Sequence, residues 1–137
     1  MSEQNVELVK GFYDAAERGD TQAVLGAFAE DIEWHEAEGM PYGGVYRGAE
    51  AVAQNVIGPI REDVDDLTLV REEFIASAGS VAAVLRYTGT GKASGKPLDV
   101  PAVHVWDVRD GKLCRFRQFI DTAKFAEVVP ADASVAG

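Results

Sequence analysis

Along the first stretch of the chain, apolar residues return at helical spacing. Val6, Val9, Phe12, Tyr13 and Ala16 fall on one stripe, which predicts an amphipathic helix. Ser2 stands where an N-cap would, and Gly19 stands where a C′ glycine ends a helix. Asp20 or Thr21 can cap a second, short helix carrying Val24, Leu25 and Phe28. The period then changes. Ile32-Glu-Trp-His-Glu36 alternates, so Ile32, Trp34 and Glu36 share one face of a strand and His35 takes the other. Four glycines and Pro41 between Gly39 and Gly48 predict a loop. Ala49 to Ile60 reads as a third helix, bent or broken at Gly58-Pro59.

From Leu67 onward the pattern is that of strands. Leu67 to Ala76 and Val81 to Thr90 are joined by Ser77-Ala-Gly-Ser80, a hairpin signal. Val100 to Arg109 and Lys112 to Asp121 are joined by Asp110-Gly111, the strongest short hairpin signal in the chain. Thr122 to Val129 reads as a last helical turn. Residues 130–137 are small and lie past the last apolar pattern, so they are expected to form a disordered tail behind one domain spanning 1–129. Helices followed by a meander of antiparallel strands predict an α+β fold. A curved sheet with the N-terminal helices across its concave face encloses an apolar pocket, where a small molecule would bind.

Composition narrows the partners. The 137 residues make one domain, and 47% hydrophobic residues suffice for a sizeable core. A net charge of −10 with no basic patch argues against nucleic acid and anionic membrane as partners. No apolar run approaches the ~20 residues that span a bilayer. The N-terminus MSEQNVELVKGF lacks an apolar signal-peptide core, and a single cysteine, Cys114, can form no internal disulfide. A cytoplasmic location is expected.

Strand alternation groups the residues that carry chemistry. Ala102, His104 and Trp106 share one face, as do Arg115, Arg117, Phe119 and Asp121 on the following strand. Val103 and Val105 lie opposite, with Cys114, Phe116, Gln118 and Ile120. If Asp110 and Gly111 form the turn, Arg109 faces Lys112 and His104 faces Arg117. Asp121 is either a general base or acid, its pKa raised by desolvation, or the cap of the following helical turn. His104 either donates to a substrate oxygen or is a satisfied core histidine. Arg117 and Asp121 on one face could form an ion pair. Trp34, Trp106, Phe12, Phe28, Tyr46 and Phe119 read first as core. Metal-ligand spacings, a phosphate loop and a Gly-x-Ser-x-Gly elbow are all missing, so neither metal nor cofactor is expected.

Six segments taken together resemble a known family: Phe12-Tyr13 with Gly19-Asp20, Phe28-Ala-Glu-Asp-Ile-Glu-Trp34, Tyr46-Arg-Gly48, His104-Val-Trp106, Asp110-Gly-Lys112 and Phe119-Ile-Asp-Thr122. In that order they are similar to the SnoaL-like branch of the nuclear-transport-factor-two-like superfamily, which includes ketosteroid isomerase. The resemblance implies a cone-shaped fold whose pocket is lined by the His104 face. Glu36 then falls where ketosteroid isomerase carries its catalytic aspartate base. His104 takes the position of the oxyanion-hole aspartate and Phe12 that of the tyrosine, with Tyr13 about 100° further around the helix.

The expected function is cofactor-free acid–base proton transfer, of isomerase, cyclase or dehydratase type. The substrate would be an apolar oxygenated molecule such as a polyketide, terpenoid or steroid-like compound. Asp121 would move the proton, His104 would donate to an oxygen, and Glu36 would be a second carboxyl. Trp34, Trp106, Phe12, Tyr46, Phe119 and Arg117 would line the substrate site. Two other readings stand beside it: a non-catalytic ligand-binding or interaction module, and an epoxide hydrolase-like enzyme using Arg117 with Asp121. A homodimer is expected through Val103, Val105, Phe116 and Ile120, which would otherwise leave an apolar patch in water.

Overall fold

A computed structural model describes residues 2–130, so residues 131–137 of the expected tail lie outside the described residues. Helix α1 (Ser2–Arg18) buries Val9, Phe12, Tyr13 and Ala15, with Ser2 already helical. Gly19 ends it at φ 72°, and the N–H groups of Gly19 and Asp20 return to the carbonyls of Ala16 and Ala15. The Asp20 carboxylate accepts from the Ala23 N–H at 3.1 Å and starts α2 (Thr21–Gly26). Strand β1 (Phe28–Glu36) begins four residues earlier than its alternation predicts, so Phe28 belongs to the strand rather than to α2.

The glycine-rich segment holds a strand that its composition hides. Residues Gly44–Arg47 form β2, paired antiparallel with β1 from Glu33↔Arg47 to Glu36↔Gly44. Ladder bonds to β1 override a poor strand composition. The third helix is one bent unit: α3 (Ala49–Val52), a π-helical turn (Ala53–Ile57) and α4 (Gly58–Asp63). The Gly58 N–H reaches back to the Ala53 carbonyl, and Pro59 offers no N–H to continue the ladder.

Four long strands follow: β3 (Val64–Ser77), β4 (Ser80–Gly91), β5 (Pro97–Arg109) and β6 (Lys112–Ile120). They complete one six-stranded sheet of order β2-β1-β6-β5-β4-β3, in which β1 and β6 run parallel. The β5–β6 turn is as predicted, with Asp110 at φ 53° and Gly111 at φ 72°, both in the left-handed region this turn requires.

The register is not the one an ideal hairpin gives. Arg109 pairs with Lys112 and Val108 with Leu113, but Asp107 pairs with Arg115. Cys114 is the extra residue of a β-bulge, and its thiol donates to the Asp107 carbonyl. Beyond it every residue of β6 is shifted by one, so His104 faces Gln118 and Arg117 faces Val105. A one-residue shift exchanges the two faces of a strand. Phe116 and Gln118 therefore turn to the concave side and are buried, while Phe119 is 56% exposed. Of the four residues expected on the outer face, Val103 and Val105 remain there; Phe116 is fully buried and Ile120 packs against the core.

Helix α5 (Thr122–Val128) closes the described chain, with Phe125 fully buried. Asp121 is its N-cap, accepting from the Lys124 N–H at 3.0 Å. Asp121→Ala should lower stability by about 1 kcal/mol, the usual cost of a lost cap, as read from urea unfolding. An unchanged unfolding midpoint would show that the cap carries no weight.

Candidate functional site

Three neighbouring strands set a polar row into an apolar interior. His104 on β5 pairs with Gln118 on β6, and Glu36 lies one residue beyond the His35↔Arg117 pairing of β1 with β6. All three side chains are buried, at 3%, 5% and 4% exposure, as are the tyrosines Tyr13, Tyr42 and Tyr87. Packed aromatic rings surround them. Trp34 stacks on Phe116 with centroids 3.6 Å apart, Trp106 meets Phe12 edge-on at 4.8 Å, and Phe116 meets His104 edge-on at 4.7 Å.

Burial obliges these groups to bond one another. The Tyr13 hydroxyl from α1 lies 2.6 Å from His104 Nδ1, and the Tyr87 hydroxyl from β4 lies 2.6 Å from Nε2. Trp106 Nε1–H donates to the Tyr13 oxygen at 2.9 Å, and Gln118 Nε2–H donates to the Tyr87 oxygen at 2.8 Å. The Ala37 N–H donates to Gln118 Oε1 at 3.2 Å, which fixes the orientation of that amide. Glu36 Oε1 accepts from Trp34 Nε1–H at 2.9 Å, while Oε2 is buried with no hydrogen-bond partner among the described residues.

The same burial acts on an acid and a base in opposite directions. It pushes the Glu36 carboxyl up to about 7, against the Trp34 hydrogen bond and the nearby Gln118 amide, which favour the carboxylate. It pushes His104 down to about 3, so the imidazole is neutral. Tyr13 and Tyr87 are held protonated, chiefly by burial. The ionisable groups that feel Glu36 are Tyr42, Tyr46 and Tyr87. Tyr42 and Tyr46 come from the segment after β1, a tight turn in which a Cβ at Gly43 would lie 2.8 Å from the Ala37 carbonyl oxygen. The Tyr42 hydroxyl donates to Asp63 at the end of α4, and the Tyr46 hydroxyl donates to the Tyr42 carbonyl.

The expected site residues divide between the two faces. Glu36, His104, Trp34, Trp106 and Phe12 are brought together inside, with Tyr46 half-buried at their edge. Asp121, Arg117 and Phe119 are not, because the bulge at Cys114 turns this part of β6 over. Arg117 lies on the convex face beside His35 and Val105; its Nε is buried without a partner among the described residues. Asp121 spends its carboxylate on the α5 cap, and no ion pair joins it to Arg117 among the described residues. Four polar residues went unassigned in the sequence: Tyr13, Tyr87, Gln118 and Tyr42. Tyr13 did lie on the apolar stripe of its helix, and Tyr87 continues the inward alternation Val81, Ala83, Leu85. Gln118 carried no such signal.

Aromatic and aliphatic side chains pack closely around the polar row. Two recesses lie away from the row: one of about 670 Å³ between the start of α1 and the Asp110-Gly111 turn, the other of about 110 Å³ beside Asp63, Lys92 and Val128. Neither exposes the polar row. Among the described residues no cluster of His, Cys, Asp and Glu could hold a metal ion, and no helix is long and apolar enough to cross a membrane.

The carboxyl of Glu36 leaves a testable mark on stability. Its folded-state pKa lies above the ordinary 4.5, so the folded chain binds more protons than the unfolded one between about 4.5 and 7. Its contribution is complete at the acid end and is lost as pH rises through that window. The raised pKa corresponds to a loss on the order of 3 kcal/mol. The stability of the protein relative to Glu36→Gln, measured by urea unfolding, should fall across this range; a flat difference would place the carboxyl in contact with solvent. Trp34 fluorescence should titrate with the same midpoint and stop doing so in the variant.

Residues 9–116 match the model of the SnoaL-like domain. A crystal structure of an NTF2-like protein from Burkholderia thailandensis is 33% identical, covering 93% of this chain and 96% of that one with a TM-score of 0.85. An NTF2-like protein of unknown function from Burkholderia pseudomallei is 28% identical, with coverages of 95% and 99% and a TM-score of 0.86. TerC, co-crystallised with polyporic acid, is 26% identical, with coverages of 91% and 97% and a TM-score of 0.83. Nothing among the curated proteins matches the chain. With the cone-like α+β sheet, the covering helices and a family model that spans most of the sequence, the chain belongs to the SnoaL-like family of the NTF2-like superfamily.

Proposed function

We propose that the protein is a small-molecule enzyme that transfers a proton by acid–base chemistry, without a cofactor, on an apolar oxygenated substrate. The observation that carries this reading is Glu36: a carboxyl buried among aromatic rings, poised at a pKa of about 7, with one oxygen bound to Trp34 and the other free of any partner among the described residues. A base tuned to neutral pH abstracts and returns a proton with little driving force wasted in either direction. The unpartnered Oε2 is the atom that would take the proton. Glu36 replaces Asp121 in this role, since Asp121 lies outside the polar row.

The surroundings of Glu36 favour apolar molecules, because Trp34, Trp106, Phe12 and Phe116 are among the core side chains and bring few polar groups. A similar protein, TerC, was crystallised with polyporic acid, which supports this ligand class.

Solvent-deuterium incorporation tests the reading on polyketide, terpenoid and steroid-like ketones selected by thermal shift. The wild-type protein should catalyse exchange at carbon next to a carbonyl, and Glu36→Gln should lose about 10²–10⁴ in rate. Ligands that bind both proteins equally well and exchange with neither would leave a binding module.

We also propose that the convex face pairs two copies of the chain. Ile75, Ala82, Val105, Arg117, His35 and Val45 form one outward row across the sheet, and Val84, Val103 and Phe119 lie beside it. Ile75, Val45 and Phe119 are each more than half exposed. Acidic Glu33 and Asp107 alternate with Arg47 and Arg115 along one rim, a mixture of signs that suits a two-fold pairing of like surfaces. Sedimentation should give a dimer at micromolar concentration that Val105→Glu converts to monomer; a monomeric wild type sinks the proposal.

A further inference from the structure

The hydrogen-bond chain Trp106–Tyr13–His104–Tyr87–Gln118 has more hydrogens than acceptors. Its two ends are fixed as donors. Indole Nε1–H can only donate, and the Gln118 amide is oriented by the Ala37 N–H so that Nε2 faces Tyr87. Both hydroxyl oxygens therefore already accept one hydrogen bond from outside. Inside the chain are two links, Tyr13 to Nδ1 and Tyr87 to Nε2, and each uses one hydrogen. A neutral imidazole and two hydroxyls supply three. One tyrosine hydrogen is left with no acceptor among the described residues.

The histidine tautomer decides which tyrosine holds it. With the hydrogen on Nδ1, the ring donates to Tyr13, Tyr87 donates to Nε2, and the surplus hydrogen is on Tyr13. With the hydrogen on Nε2, Tyr13 donates to Nδ1, Tyr87 accepts from both the ring and Gln118, and the surplus is on Tyr87. The surroundings of the two hydroxyls differ. Tyr87 lies in the field of the Glu36 carboxylate, whereas Arg71, the charged side chain nearest in effect to Tyr13, is paired with Asp14 and Glu17. A negative charge draws a hydroxyl hydrogen towards itself, so Glu36 selects the Nε2–H form. In that form a buried donor on Tyr87 and the buried, unpartnered Glu36 Oε2 belong to one cluster, since the Gln118 amide bonds Tyr87 at one end and Ala37, the residue after Glu36, at the other.

We propose that Tyr87 is the hydrogen-bond donor of this site, offering its surplus hydroxyl hydrogen to a carbonyl, enol or phenol oxygen seated against Glu36. His104, both of whose ring nitrogens are engaged, is a positioning residue that never meets the ligand. The proposal rests on the reading of Glu36 as the reacting carboxyl, and it assigns the oxygen-binding partner that reading lacks. A hydroxyl group suits the pair best, because it accepts from Tyr87 and donates to Glu36 at once.

Long-range proton–nitrogen NMR on protein labelled with ¹⁵N-histidine identifies the nitrogen that carries the hydrogen; a His35→Gln background leaves His104 as the sole histidine signal. At a pH above the titration of Glu36, the hydrogen should sit on Nε2 in the otherwise wild-type protein and shift towards Nδ1 in Glu36→Gln. An Nδ1–H form in this background overturns the proposal whether or not Glu36→Gln folds. Titration with 2-naphthol, followed by its own fluorescence, tests the ligand. Saturable binding that weakens about tenfold or more in Tyr87→Phe, a loss typical of one buried hydrogen bond, supports the assignment. Equal affinity in Tyr87→Phe, or no saturable binding to the wild type, overturns it. Full proton exchange by Glu36→Gln would instead remove the enzymatic reading while leaving the tautomer result intact.

Discussion

A polar group inside an aromatic core must find its partner there, because leaving a buried donor or acceptor unmade costs about 1–3 kcal/mol. That requirement organises the centre of this protein. Glu36, Gln118 and His104 come from three adjacent strands, and Tyr13 reaches down to them from α1. Tyr87 crosses from β4, four residues along from the position that pairs with His104. Helix and sheet are thus joined by a specific contact as well as by apolar packing, since the Tyr13 hydroxyl bridges Trp106 and His104. Such a network fixes one arrangement of the core where apolar side chains alone would tolerate several.

The network exists because β6 carries one residue too many. Without the bulge at Cys114, Arg117 would stand opposite His104 and a guanidinium would enter the aromatic interior. The bulge instead places a neutral amide there, whose two ends serve the Ala37 N–H and the Tyr87 hydroxyl. Arg117 and Phe119 are turned to the convex face, and with them the outer surface gains a guanidinium and an exposed aromatic ring. One inserted residue therefore sets both the chemistry inside and the surface outside.

Desolvation gives the interior its electrostatic character. The chain as a whole carries a net charge of −10, yet the surface acids, several of them paired as Glu33 is with Arg47 and Asp31 with Arg109, do little to the polar row. Burial lowers His104 and raises Glu36, so near neutral pH the imidazole is uncharged and the carboxyl is divided between its two forms. A histidine so placed is a fixed neutral hydrogen-bonding unit. The group able to change charge under ordinary conditions is the glutamate, which is why the proposed proton-transfer role is assigned to it and not to the residue type usually associated with neutral pH.

Local pattern determined much of this. The stripe on α1, the caps at Gly19 and Asp20, the alternation that turns Trp34 and Glu36 inward, and the Asp110-Gly111 turn are decided by neighbours a few residues apart, and all are legible in the sequence. The resemblance carried by the six short segments identified the family and pointed to Glu36 and His104. What the sequence could not settle is the register of β6 and the existence of β2. Both depend on ladder bonds to β1 and β5 that no local pattern encodes. Alternation assigns residues to two faces but does not say which face is inside once a bulge has added a residue, and so Asp121, Arg117 and Phe119 were expected where Gln118 and Phe116 are found. The partners of His104 are likewise a tertiary matter. Tyr13 is 91 residues away from it and Tyr87 is 17, and only the closing of helix and sheet around a common core brings three protons and two links together.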